Sequence, residues 1–362
     1  MRKQLALLFI LSFTLFKAQN FDSLLFVSIK INADTEKVNL FYSEGFEKRN
    51  KIPQYSYNCA RQAEHFALQS KSQKHIAKAY NLLGILFYKK GDLKTALNFH
   101  QKALAIREEL KDEYGIALSE TNLGNIYSDL KNYEAAELSY LNALQINSKI
   151  ANEKQCGNCY INLGVLKIAQ NKIEEAEKYF YNAYKIAKNI VDYEIEAMAL
   201  NNLSYINITK GNYEVAISNC YDALKAKDIM ENEFEKTDSY LNLAKAFYYL
   251  KDFANSKYYL AKADSFCTAY DYTEARYQLY KLQSEIFEGE KNYEMALYAF
   301  KRFTQLKDSI ETVNKSIEND YTFSDKEIIS SPKESFQFPY LMLSLLIGGS
   351  IFIMFYIFKF KK

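Results

Sequence analysis

The sequence predicts an all-α fold, an α-solenoid of stacked helix-turn-helix pairs, and three observations carry that expectation. Small residues recur every 40 positions, at Gly84, Gly124, Gly164, Ser204, Ala244 and Ser284. Each is followed twelve residues later by Ala96, Ala136, Ala176, Ala216, Ser256 or Ala296, and seven further on by Ala103, Ala143, Ala183, Ala223, Ala263 or, less faithfully, Phe303. Only 3 Pro and 11 Gly punctuate 362 residues, too few for an all-β chain. Two helices approach closely only where side chains are short, and a fixed period of this size marks helical units that bury their faces by stacking.

The elements follow in chain order. Residues 1–18 read as an export signal: Met1-Arg2-Lys3-Gln4 is basic, Leu5 to Phe16 is apolar, and Ala18 offers a small residue for cleavage. No Cys follows the apolar run, which argues against a lipid-anchored N-terminus. Residues 19–76 read as capping helices with a degenerate repeat. Ser56, Ala60 and Ala63 stand where the period expects small residues, whereas Glu44 takes the place of the glycine and Pro53 falls in the turn. Worn terminal units are what a stacked array needs at its ends.

Residues 77–316 read as six full repeats. In Ala117–Cys156, Leu118, Leu123, Ile126, Tyr127 and Leu130 fall at helical spacing, as do Ala135, Leu138, Leu141, Leu144 and Ile146. Lys131-Asn132-Tyr133 separates the two runs, as Gly91-Asp92-Leu93, Gly211-Asn212-Tyr213 and Lys291-Asn292-Tyr293 do elsewhere. A tight turn suits the first two residues, and the large third one plugs the gap between helices.

Beyond Glu311 apolar residues thin out, and 317–337 reads as a linker around Pro332. Residues 338–358 form a run without a charge, long enough to cross a bilayer as one helix, with Tyr340 and Tyr356 near its ends. Lys359, Lys361 and Lys362 follow, so 359–362 reads as a short cytoplasmic tail by the positive-inside rule. These ends predict a single-pass protein of the bacterial cytoplasmic (inner) membrane with its repeats in the periplasm.

The pattern of an aromatic or Leu, then Leu-Gly, then Tyr, with later Ala, aromatic and Ala, resembles the tetratricopeptide repeat. Asn122-Leu123-Gly124-Asn125 and Ala103-Leu104-Ala105-Ile106-Arg107 are similar to the longer-helix scaffolds that modulate G-protein signalling. The helical exit Leu306-Lys307-Asp308-Ser309-Ile310, followed by the apolar run, resembles the exported sensory half of Bacteroidota regulators, whose output domain is not seen here.

The resemblance implies that the first helix of each pair lines a concave face. On it stand Asn122, Asn162, Asn202 and Asn242, two residues before each small residue, with Asn125 nearby. An amide has both a donor and an acceptor, so a row of them suits the backbone of an extended peptide. In the scaffolds resembled, asparagines at this place contact bound peptides; the alternative is that they bond within their own repeat. Tyr205 and Tyr248, with Ile161, Val165, Ile168, Ile208 and Tyr249, add an aromatic and aliphatic lining that serves either a groove or the inter-repeat core. Lys78 and Lys245 lie on this face without forming a cluster.

Charge and composition narrow the function. A net charge of +2 offers no bulk attraction for nucleic acid. Cys156 and Cys159 are the only close cysteine pair, open to a local disulfide or redox role, but without a second pair for zinc. His65, His75 and His100 are scattered, and His100 stands where other units have Tyr140, Phe180 and Phe300, which makes it a packing residue. No catalytic residue, cofactor site or metal site is expected. Two readings of function result: a membrane-anchored scaffold holding a peptide or protein of the cell envelope, and a sensor component acting through a separate cytoplasmic partner.

Overall fold

A computed structural model describes residues 21–230, 236–270 and 273–322. The expected export signal, the run 338–358 and the tail 359–362 lie outside the described residues, as does the linker beyond Thr322. Among the described residues there are fifteen helices and no strand, and no helix is long and apolar enough to cross a membrane. Residues up to Asn319 form one compact unit.

Helices α1 (Phe21–Ile29), α2 (Asp34–Glu47) and α3 (Pro53–Ser70) open the chain. Six pairs follow: α4 (Gln73–Lys90) with α5 (Leu93–Glu109), α6 (Glu113–Asp129) with α7 (Tyr133–Lys149), α8 (Glu153–Ala169) with α9 (Ile173–Ile190), α10 (Tyr193–Lys210) with α11 (Tyr213–Ile229), α12 (Lys236–Tyr249) with α13 (Phe253–Tyr270), and α14 (Thr273–Gly289) with α15 (Tyr293–Thr322). From α2 to α14 each helix packs on its successor, and from α8 to α14 each first helix also touches the first helix of the next pair. The first pair begins at Gln73, four residues ahead of the expected repeat start.

The backbone repeats at half the sequence period. Left-handed residues stand at Lys71, Gly91, Lys111, Lys131, Ala151, Asn171, Val191, Gly211, Lys251 and Lys291, at 20-residue intervals or twice that. Each ends a helix, and the next residue is often an Asp or Asn whose side chain caps the following one: Asp92 accepts from the Thr95 amide and Asn132 from that of Ala135, at 3.0 and 3.2 Å. The side chains alternate between two kinds of helix; the turns do not. Val191 is the β-branched member, at φ 56° and ψ 48° with its side chain exposed. A Cβ-branched residue there costs about 1–2 kcal/mol, so Val191→Gly is expected to raise stability by about 0.5–1 kcal/mol after the entropy of the freer unfolded chain is subtracted. A higher urea midpoint at unchanged slope is the expected reading; a lower midpoint refutes it.

The glycines of the 40-residue beat are occupied from outside by rings. A Cβ on Gly84 would meet His100 Nε2 at 2.6 Å, one on Gly124 would meet Tyr140 Cε1 at 2.5 Å, and one on Gly164 would meet Phe180 Cε1 at 2.5 Å. Each ring comes from the second helix of the same pair. At two units the small residue is larger and the partner smaller, Cys220 beside Ser204 and Leu260 beside Ala244, whereas Ser284 keeps Phe300 at this register, half exposed. In the worn first unit the expected position, Glu44, instead pairs with Lys48 and Tyr55. Gly45 takes the close approach, where an added Cβ would lie 3.0 Å from Cys59 Cβ, and Pro53 opens α3 as its first residue.

Junctions between successive pairs differ in polarity. Between the first two, the buried Arg107 donates to Ser119 Oγ, the Gly115 carbonyl and Asn81 Oδ1 at 2.6, 3.0 and 3.4 Å. Three periods on, Lys227 donates to Ser239 Oγ at 3.2 Å, and Ser239 to Asn201 Oδ1 at 2.6 Å, again fully buried. The junction after Arg107 carries Asn147 and Cys159, 3.8 Å apart, and the one after that has Ala187 and Ala199 beside Ile161 at this register, with the Lys188–Glu196 ion pair across it at 3.0 Å.

Candidate functional site

A cavity of about 590 Å³ opens along the array, lined by α8, α10, α12 and α14, the first helices of four successive pairs. The same helix positions recur in it at 40-residue spacing: Ile161, Asn201, Leu241 and Lys281 on one line; Asn202, Asn242 and Leu282 on the next; Val165, Tyr205, Lys245 and Glu285 on a third. Lys227, from α11, is the lining residue contributed by a second helix, and Asp238 stands near it.

The asparagines do not behave as one ladder. Asn202 and Asn242 line the cavity. Asn202 donates its amide to the Met198 carbonyl at 2.9 Å, while Asn242 donates to the Asn201 carbonyl and Ser204 Oγ at 3.1 and 2.8 Å. A carbonyl acceptor fixes which end of each amide points inward, so the side-chain oxygens of Asn202 and Asn242 are left without a partner among the described residues. Asn122 donates to Asn81 Oδ1 across its junction at 3.2 Å, and Asn125 accepts from the Tyr140 hydroxyl at 2.7 Å. Neither lines the cavity, and each makes a hydrogen bond within the array. Asn162 is half-buried beside the cavity wall, between Ile161 and Val165.

Tyr205 and Tyr249 face the cavity, and Tyr249 stacks on Tyr213 with centroids 5.2 Å apart. Tyr248, one residue earlier, is turned about 100° around the helix and packs with the α12–α14 core, 6.1 Å from the Phe253 ring. Of the three tyrosines expected to line the groove, Tyr205 and Tyr249 line the cavity, and Tyr248 packs in the core.

Lys245 has a cationic neighbour that a residue-by-residue reading misses. Lys281 comes from the next first helix, 36 positions on, which is one period less one helical turn. Burial, and then the charge of Lys281, hold the Lys245 ammonium below the ordinary lysine range, with Glu285 opposing. Its Nζ lies 5.6 Å from the centre of the Tyr205 ring. Burial pushes Asp238 above the usual carboxylate range, opposed by the charge of Lys227. Chemically, the cavity joins two asparagines whose amide N–H groups are engaged, two phenols and a pair of crowded lysines. Lys78 lies away from it, donating to Asn39 Oδ1 at 2.7 Å.

All five cysteines are buried free thiols. Cys156 and Cys159 share α8 without a bond between them, and burial pushes Cys159 up to about 11. A thiol so protonated is a poor nucleophile. The two sulfurs stand unbonded in this structure.

A tetratricopeptide repeat family model matches residues 75–149 and 113–189. The uncharacterized protein ycf37 of Porphyra purpurea is 43% identical over 65 residues, 18% of this chain and 34% of that protein. The chain thus spans about a third of the length of the curated relatives it matches. A Rap protein solved in complex with Competence and Sporulation Factor superposes with a TM-score of 0.63 at 17% identity, covering 81% of this chain and 80% of that one. A tetratricopeptide repeat protein from Parabacteroides merdae gives 0.52 at 16% identity, over 78% and 98%. Residues 75–189 thus match tetratricopeptide repeats, and the stacked helical pairs and the 40-residue period continue the same pattern along the array.

Proposed function

We propose that the chain is a protein-interaction scaffold that holds an extended peptide segment of a partner in the cavity between α8 and α14. The observation that carries the reading is the pair of unspent acceptors, Asn202 Oδ1 and Asn242 Oδ1, set one period apart beside Lys245 and Lys281. Backbone N–H groups of an extended segment satisfy the two oxygens, an acidic side chain relieves the crowded lysines, and Tyr205 and Tyr249 cover apolar surface. The Rap protein supports this by its fold alone, since it was solved holding a second molecule. The sequence ends support the finer reading, in which the array is exported and tethered by residues 338–358 to the cytoplasmic membrane, facing envelope partners. A sensor role through a separate cytoplasmic partner is supported by sequence order alone, in which the 30-residue α15 precedes that charge-free run.

The test is photo-crosslinking in intact cells from a benzophenone amino acid placed at Tyr205, with Tyr181 on α9, outside this cavity, as the control. A partner is expected from position 205 alone. Asn202→Leu with Asn242→Leu should cut its yield about tenfold or more, as loss of two buried hydrogen bonds implies. Leucine already fills this register at Leu82 and Leu282, so the variant is compatible with the fold. Equal crosslinking from both positions, or full yield in the double variant, removes the cavity from the account.

A further inference from the structure

The cavity changes character along its length. At one end its wall is Ile161 and Val165 of α8, with Met198 of α10 beside them. Asn202, Tyr205 and Asn242 line its middle, and Lys245, Lys281 and Glu285 its far end, on α12 and α14. Neither α8 nor α10 lines it with a charged side chain. Every charge comes from α11, α12 or α14, so the groove runs from apolar to ionic in chain order.

The ionic end is out of balance. The buried Lys227 donates to Ser239 Oγ, and its charge acts on Asp238. Lys245 and Lys281 differ from it: neither makes a hydrogen bond or ion pair with a described residue, although Glu285 lines the same cavity. Elsewhere in the array a lysine near a carboxylate takes it, as Lys167 does with Glu137 and Glu175, and Lys210 with Glu177. Lys245 has only the Tyr205 ring, 5.6 Å from its Nζ to the centroid. Three lysines and two carboxylates line the cavity, which leaves one positive charge over. A half-buried ammonium without a partner bears a desolvation cost that a bound anion offsets.

We propose, resting on the reading above that the cavity holds an extended segment, that this segment belongs to one sequence class. It carries a single acidic residue over Lys245 and Lys281 and a large apolar residue over Ile161 and Val165, about five or six positions away. Val165 and Lys245 hold the same position on first helices two pairs apart. Packed helices stand about 8–10 Å apart, which separates the two ends by about 16–20 Å. An extended chain advances about 3.3 Å per residue, and the spacing follows. Glu285 favours one acidic residue over two, because a second carboxylate there meets a like charge. Amide oxygens accept N–H groups from a segment running either way, so the site sets spacing rather than direction.

Selection from a phage library of random peptides long enough to span the cavity, against the full chain in detergent, tests this. Enriched peptides are expected to share one Asp or Glu with a large apolar residue about five or six positions from it. Lys245→Glu with Lys281→Glu should weaken them about tenfold or more, and selection on that variant should return Lys or Arg in place of the acid. Lys245→Gln with Lys281→Gln removes the charges without adding repulsion, and serves where the reversal disturbs the fold. It should abolish the acidic preference and keep the apolar one. Peptides that lose binding to Asn202→Leu with Asn242→Leu, yet carry no acidic residue or bind the glutamine variant equally well, overturn this inference and leave the scaffold reading standing. Equal enrichment on the asparagine variant, or no enrichment at all, overturns both.

Discussion

Gly164→Ala is expected to destabilise the array by up to about 2 kcal/mol, and adding Phe180→Leu in the same chain to restore most of that loss. The new methyl would sit 2.5 Å from the Phe180 ring, which is fully buried and has no free space to yield. Overpacking of this kind costs about 1–3 kcal/mol, against which the helix gains about 1 kcal/mol on replacing Gly by Ala. Shortening Phe180 to Leu alone leaves a cavity and costs about 1–3 kcal/mol. Combined, the two changes recreate the Ala244–Leu260 contact already present at the same register in this protein. A double-mutant cycle by urea unfolding should return a favourable coupling of about 2 kcal/mol. Additive effects of the two substitutions would show that the ring and the glycine do not constrain one another.

His100→Phe is expected to flatten the acid loss of stability. His100 is buried against Gly84, and burial, then the charge of Arg107, lower its pKa to about 3. Its folded value lies below the unfolded one of about 6.5, so between these limits the unfolded chain binds a proton that the native chain refuses. Native stability is therefore complete above the unfolded value and is lost as pH falls toward 3. From pH 7.5 to 4.5 this one group removes about 2.5 kcal/mol. The phenylalanine variant should lose that much less over the same interval, with carboxylates common to both chains cancelling in the comparison. It should not be weaker at neutral pH, because Nδ1 of His100 is a buried polar atom without a partner and Phe180 fills the same register two units later. Parallel stability–pH curves for the two chains would refute the assignment.

The fold was legible because it is written many times. A small residue every 40 positions, with large apolar ones at helical spacing between, is a constraint repeated six times, and each copy corroborates the others. The turns were legible as turns, but not the fact that they repeat every 20 residues, since Lys, Ala, Asn and Val hide a left-handed backbone that Gly91 and Gly211 advertise. The site was legible in part. Asn202, Asn242 and Tyr205 were found by register, and all three line the cavity. Asn122 and Asn125 share that register or neighbourhood yet spend their side chains on Asn81 and Tyr140. Tyr248 and Tyr249 differ by a rotation that period alone does not resolve.

The sequence by itself determined the repeat, the helical pairs, the worn first unit and the type of residue along the groove, because each of these is a local or periodic property. Only the tertiary structure decided which asparagines are spent inside the array, that Lys281 stands beside Lys245, and that Cys156 and Cys159 are separate thiols. Those outcomes depend on which neighbour reaches a side chain first, and the neighbours come from helices a whole repeat away. A polar group uses whatever partner packing brings within about 3 Å, and a repeated letter does not record it.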